Sequence, residues 1–291
     1  MKKLFFTSIV LLLAMVTQAQ VKVAPKLTKG FTATYVDEST LNAAGNEMKA
    51  VMETTYTVTD VTADGAVIEV VQKTISGLDG DDPASKLMKL TQDILTGKTF
   101  KIATDGDGKM LKIINIDDIK ANAKDTAEKA MKQLIKSTPA LDQMSQEAQE
   151  AIVEEVLGRL SEDALMDGFE VLSLNGKTIA SGAQEEYTKE GMKMKRMYFV
   201  TGKNIIANST LNMSKDELKQ FIIDQVTADM PEQAEMIKQN IDMIMSSAKF
   251  DLSEKTTYEL QDNGWVKSIK TDSKREMMGQ KSSSTSVVTL K

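Results

Sequence analysis

The sequence predicts an α+β fold: antiparallel β-sheet, curved and in one layer or two, packed against several amphipathic helices. Strand-like alternation recurs in hairpins about Asp64-Gly65, Asp105-Gly106 and Asn263-Gly264, dipeptides suited to tight reversals. Apolar residues at three- and four-residue spacing gather in two blocks, 117–167 and 214–248, as amphipathic helices require. Runs of strands alternating with runs of helices, rather than single βα steps, indicate antiparallel sheet.

Taken in order, residues 30–75 read as β, with Met52, Thr54, Tyr56 and Val58 alternating with polar neighbours and Asp64-Gly65 between two Val-rich runs. A short helix is expected over 85–95. A second hairpin follows, with Phe100 and Ile102 entering Asp105-Gly106-Asp107-Gly108 and 110–114 leaving it. Asp117 or Asp118 can cap a helix carrying Ile119, Ala123, Ala127, Ala130, Met131, Leu134 and Ile135 on one face, and Pro139 ends it. Ser145 opens another helix with Ala148, Ile152, Val156 and Leu160 as its stripe; 161–167 forms a shorter one.

Strand is expected again from 169 to 211, with a tight turn at Asn175-Gly176. Met192 and Met194 are out of phase with Met197 and Phe199, which predicts a β-bulge after Lys195. Ser214-Lys215-Asp216-Glu217 is a capping box opening a helix with Leu218, Phe221, Ile222 and Val226 on one side. Pro231 begins the next helix, where its missing N–H costs nothing, and Ala234, Ile237, Ile241, Ile244 and Ala248 form its stripe. The chain closes with the hairpin 255–260 and 265–270 and a last strand over 284–290.

Residues 1–19 read as a signal peptide. Lys2 and Lys3 give a positive start, 4–16 is apolar apart from Thr7 and Ser8, and Thr17-Gln18-Ala19 resembles a small-residue cleavage site. The apolar run falls short of the roughly 20 residues of a spanning helix. The expected product, 20–291, is a soluble single domain with two lobes, about 20–167 and 168–291, because no Pro/Gly/Ser-rich linker divides it. Export to the periplasm, or beyond the cell, follows from the same signal.

The chain has no cysteine, so it offers neither a lipid-anchor site at the processing point nor a disulfide, and burial must hold the fold together. Losing Lys2 and Lys3 moves the formal charge from −6 to −8. An acidic chain without a basic run argues against nucleic acid as partner and against adhesion to an anionic membrane surface.

Histidine is absent as well. That removes the usual base near neutral pH, every thiol nucleophile, and the nitrogen and sulfur ligands zinc prefers. Gly97-Lys98-Thr99 and Gly176-Lys177-Thr178 lack the upstream glycine of a phosphate loop, since Gln92 and Val171 stand there. Ser246-Ser247-Ala248-Lys249 has a serine–lysine spacing without its companion motifs. Asp79-Gly80-Asp81-Asp82 and Asp105-Gly106-Asp107-Gly108 invite calcium, but neither continues as an EF-hand, and both suit turns. Asp125-Thr126-Ala127 matches the acceptor for O-glycosylation used by exported proteins of Bacteroidetes. No catalytic, cofactor or metal residue is assigned. Paired carboxylates stay open as a hydrolase alternative.

Of 19 methionines, 17 lie beyond residue 19. Copper(I) binding by thioethers is one reading, and core packing is another, with Met236 and Met243 beside Ile237, Ile241 and Ile244. The third is an adaptable apolar surface for a ligand, for which Met192, Met194, Met236 and Met243 are the candidates.

The signal ending Thr17-Gln18-Ala19-Gln20, the opening Leu27-Thr28-Lys29-Gly30, the hairpin over 58–71, Leu95-Thr96-Gly97-Lys98 and the closing Asn263-Gly264-Trp265 hairpin together resemble uncharacterised exported proteins of Bacteroidetes. In architecture the pattern is similar to half-barrel lipoprotein carriers of the LolA and LppX type, where a curved antiparallel sheet closed by helices holds a lipid. The resemblance implies a non-catalytic exported protein with a lipid or other apolar small molecule between sheet and helices. The alternative is a structural or protein-interaction module of the cell envelope.

Overall fold

The computed structural model describes residues 19–43, 46–77, 92, 94–137, 145–158, 160–189, 191–229, 231–247, 249–277 and 279–291. Among the described residues strand well outweighs helix, so the structure is dominated by sheet. The first half supplies β1 (Gln20–Lys22), β2 (Thr32–Ala43), β3 (Asn46–Val61), β4 (Gly65–Ser76), β5 (Thr99–Asp105) and β6 (Met110–Ile113). The second supplies β7 (Thr178–Ala180), β8 (Gln184–Lys189), β9 (Met192–Thr201), β10 (Asn204–Leu211), β11 (Phe250–Leu260), β12 (Val266–Met277) and β13 (Gln280–Leu290).

Eleven strands form one antiparallel sheet in the order β6-β5-β4-β3-β2-β13-β12-β11-β10-β9-β8, and β1 pairs with β7 in a separate ribbon. Most neighbours in the sheet are consecutive in the chain, and short turns join most of these; longer connections link β4 to β5 and β10 to β11. The pairing of β2 with β13 is the exception. It sets Asp37 opposite Val288 and Ser39 opposite Ser286, so the sheet runs unbroken across the 167/168 boundary.

Alternation explains the first hairpin. Tyr56 stands opposite Val70 and Val58 opposite Ile68, all four buried. Tyr35 meets Tyr56 edge-on at 5.6 Å between ring centres, and its hydroxyl donates to the Val266 carbonyl at 2.7 Å. That bond spans the β2–β13 seam and satisfies a buried O–H. At the closing hairpin, Gly264 has φ +81, and a Cβ there would come within 2.5 Å of the Ala24 carbonyl oxygen. Only glycine combines this conformation with so close an approach. The turn thus docks on the N-terminal segment: Lys26 N–H donates to the Asn263 carbonyl at 2.8 Å, and the buried Trp265 donates its ring N–H to the Lys26 carbonyl at 3.2 Å.

Five helices complete the described structure: α1 (Ile116–Ser137), α2 (Gln146–Gly158), α3 (Glu162–Asp167), α4 (Lys215–Asp229) and α5 (Pro231–Ser247). Ile119, Ala123, Ala127 and Met131 form the buried stripe of α1, as its spacing requires. Ser161 caps α3 through its hydroxyl. The Ser214 capping box is formed in full, with Glu217 N–H donating to the Ser214 hydroxyl at 3.2 Å and Ser214 N–H donating to the Glu217 carboxylate at 2.8 Å. The Lys193 ammonium and the Ser214 N–H hold the Glu217 carboxyl down at about 2. Leu218 and Ile222 of α4 pack with Ile241 and Met245 of α5 in a cluster separate from the main core.

Several expectations need correction. The region from Phe169 is no strand: Glu170–Leu172 forms one 3₁₀ turn, and Phe169, Val171, Leu172 and Leu174 are all buried. A segment whose apolar side chains all enter the core has no regular polar alternation to reveal its shape. The bulge after Lys195 is absent, since β9 keeps continuous register with β8 and β10. Met192, Met194, Arg196, Tyr198 and Val200 share one face by strand period, and Met197 and Phe199 lie on the other. Met236 and Met243 are 59% and 68% exposed, so they are not core residues of α5; Ile241 and Met245 occupy that role. The expected helix over 85–95 and the Asp79-Gly80-Asp81-Asp82 and Pro139 signals lie wholly or mostly outside the described residues.

Candidate functional site

The face of the sheet that carries the core changes character along the strands. Towards one end the inner positions are apolar, as at Tyr258, Ile269 and Val288; towards the other they become Glu254, Thr256, Thr271, Ser273 and Ser284. Two adjoining cavities open on this polar half. One of 390 Å³ runs from Met110 of β6 and Met166 of α3 to Glu185, Tyr187 and Lys189 of β8. Another of 300 Å³ is walled by Leu41, Met192 and Leu252 with Ser273, Arg275 and the serines of β13. Glu170, Lys189 and Glu254 line both. They form the waist of one cleft.

Arg196 organises one wall. Its Nη1 lies 3.0 Å from Glu185 Oε1, its Nε donates to Ser209 Oγ at 3.2 Å, and its guanidinium stacks 4.2 Å from the centre of the Tyr187 ring. Tyr198 donates its O–H to the same Glu185 oxygen at 2.6 Å, and Lys177 reaches the other at 3.4 Å. Burial pushes the Glu185 carboxyl up, but the Tyr198 hydroxyl and the two cations outweigh it and leave it below the ordinary carboxylate range. The Tyr258 hydroxyl, deep in the cleft, is pushed up to about 12 by burial and then by the charge of Glu170.

The waist is less well compensated. Lys189 Nζ pairs with Glu254 at 2.5 Å, and Ser286 donates to Asp37 at 2.8 Å while burial raises that carboxyl. Glu170 has no such help: its carboxylate makes no hydrogen bond and no ion pair within the described residues. Burial raises its affinity for a proton, Asp37 and Glu254 raise it further, and Lys189 and Arg196 only partly oppose them. In the same cavity the Tyr187 hydroxyl is buried without a partner. A packed interior seldom leaves such groups unmatched.

The four candidate methionines do not form one surface. Met192 lines the second cavity, Met194 is buried two residues along the same strand at 1% exposure, and Met236 and Met243 lie exposed on α5. Asp125-Thr126-Ala127 lies within α1, where Thr126 donates back to the Asn122 carbonyl and Asp125 pairs with Lys129. Asp105 Oδ1 accepts the N–H groups of Asp107 and Lys109 at 3.0 and 2.9 Å, which is turn closure. Among the described residues no group of three or more acidic side chains could hold a metal ion, and no helix is long and apolar enough to cross a membrane.

A groove of 670 Å³ also lies between α1 and α2, but the charged Lys124, Glu128, Lys132, Glu150 and Glu154 make half of its lining. These are the solvated flanks of two helices, and no unmatched buried group faces it. Sequence reasoning did not find Glu170 or Arg196. Their one available signal was Arg196 itself, an inward position within an otherwise apolar alternation.

No family model and no curated protein matches the chain. Among solved structures, Rv2717c of Mycobacterium tuberculosis is 7% identical over 91% of this chain and 94% of its own, with a TM-score of 0.26. A candidate lipoprotein of Parabacteroides distasonis is 10% identical over 94% of this chain and 100% of its own, with a TM-score of 0.27. At these scores neither likeness carries information about function.

Proposed function

We propose that this chain is an exported, non-catalytic binding protein that holds a small amphiphilic ligand inside a curled sheet. The observation that carries this is the lining of one 390 Å³ cavity by Met110 on one edge strand and by Glu185, Tyr187 and Lys189 on the other. In a flat sheet of eleven strands those edges would stand about 48 Å apart. The sheet therefore curves until its edges frame a common mouth. Export rests on the signal-like residues 1–19, of which 1–18 lie outside the described structure.

The lining narrows the ligand. Met110, Met166, Met192, Leu41 and Leu252 offer apolar wall, while Glu170, Lys189, Glu254 and the serine row offer polar contact. Pockets that combine apolar surface with a few placed polar groups orient a ligand by its head. An amphiphile fits this lining better than a wholly apolar lipid, which would strand buried charges.

Native mass spectrometry of protein purified from its own cells tests the reading. A bound mass of a few hundred daltons is expected, lost in Thr256→Trp, which fills the larger cavity, and in Ser273→Phe, which fills the smaller. Circular dichroism checks that each variant folds. A clean apo mass for the parent overturns the proposal, and a crosslinked envelope protein in its place would favour an interaction module.

One observation favours a second reading. Glu170, which holds its proton more tightly than usual, shares a cleft with the lysine-paired Glu254, and carboxylates in such contrasting surroundings can serve as acid and base. Turnover of aryl glycosides that vanishes in Glu170→Gln would support a hydrolase; inert substrates across a panel would remove it.

A further inference from the structure

We infer that the head of the ligand is a primary ammonium group seated on Glu170, an inference that rests on the amphiphile reading above. The charged groups of the cleft are nearly all matched. Arg196 and Lys177 hold Glu185, Lys189 holds Glu254, Asn212 donates to Glu186 at 3.1 Å, and Ser286 donates to Asp37. Asp167 stands at the exposed rim. Glu170 is left at the waist, half-buried, with no hydrogen bond or ion pair to its carboxylate within the described residues.

A half-buried carboxylate that has lost much of its hydration and gained no partner is unfavourable, and a cation on the ligand relieves it directly. The Tyr187 hydroxyl supplies the independent observation. It is buried, unpartnered and part of the same cavity wall, so it can accept a second N–H from the same ammonium. An anionic head fits poorly. At the waist it would have to part Glu254 from Lys189 and would then meet Glu170 and Asp37 as like charges, and the guanidinium of Arg275 stands in the wall of the smaller cavity rather than at the waist. A neutral hydroxyl head could donate one hydrogen bond to Glu170 but would leave its charge uncompensated.

Three probes with the same eight-carbon tail separate these cases: octylammonium, 1-octanol and octanoate, titrated calorimetrically into the full-length protein at neutral pH. Octylammonium is expected to bind about tenfold tighter than octanol or more, because it alone adds an opposite charge to the hydrogen bond on the carboxylate. Glu170→Gln should erase that preference while octanol binding persists, and Tyr187→Phe should reduce it in part. Octanol binding as tightly as octylammonium, or octanoate binding tighter, would overturn the ammonium assignment and leave the amphiphile reading standing. Failure of all three probes to bind in a manner blocked by Thr256→Trp would overturn both.

Discussion

Arg196 occupies an inward position that its neighbours Met192, Met194, Tyr198 and Val200 give to apolar or aromatic groups. Its cation is tolerated there because Glu185, Ser209 and the Tyr187 ring surround it. Removing it leaves Glu185 half-buried against Tyr198, so Arg196→Ala should cost about 2 kcal/mol, between the values for breaking an exposed and a buried pair, read by urea unfolding. Glu170 behaves in the opposite sense. Its folded carboxyl binds a proton more tightly than the ordinary value of 4.5, so ionisation weakens the fold. That loss is absent below the ordinary carboxyl range, grows as pH rises through the elevated value, and is complete above it. Glu170→Gln should therefore raise Tm at neutral pH, and the gain should disappear below pH 4.5; a gain independent of pH would contradict this. Among methionines, Met192→Ala should cost about 2–5 kcal/mol, whereas Met236→Gln and Met243→Gln should fall within about 0.5 kcal/mol. Side-chain partnership was the part of the site hidden in the sequence. Nothing local marks Glu170 as unmatched, because its neighbours Asp37 and Glu254 come from strands far away in the chain.

At the scale of elements, local chemistry was legible wherever it closes on itself. The capping box of α4, the helix start at Pro231, the stripe of α1 and the turn at Asn263-Gly264 each depend on residues within a few positions. Ser214→Ala should cost about 1 kcal/mol by leaving the Glu217 N–H without its cap, seen as a lower melting temperature. Gly264→Ala should cost more, since it adds a left-handed φ to a Cβ within 2.5 Å of the Ala24 carbonyl oxygen. The segment from Phe169 to Leu174 was misread for the complementary reason: it takes its form from the core around it, including Phe100, whose ring centre lies 5.4 Å from that of Phe169. The same holds for β9. There a purely hydrophobic phase suggested a bulge, because the polar residue at the inner position belongs to the cleft.

For the whole molecule the decisive contact is non-local. Hairpin signals predict which strands are neighbours in sequence order, but nothing in them joins β2 to β13. That seam makes one eleven-stranded sheet out of two meanders and places Asp37 and Ser286 beside the cleft. The account rests on that sheet curling around a chamber occupied by a ligand. A crystal structure of protein purified from its own cells, without additives resembling a ligand, measures this most directly. The account predicts electron density of a bound molecule between Glu170, Tyr187 and Glu254, with the edges β6 and β8 framing its entrance. A sheet whose edges lie far apart, or a cleft closed by packed side chains, would contradict it.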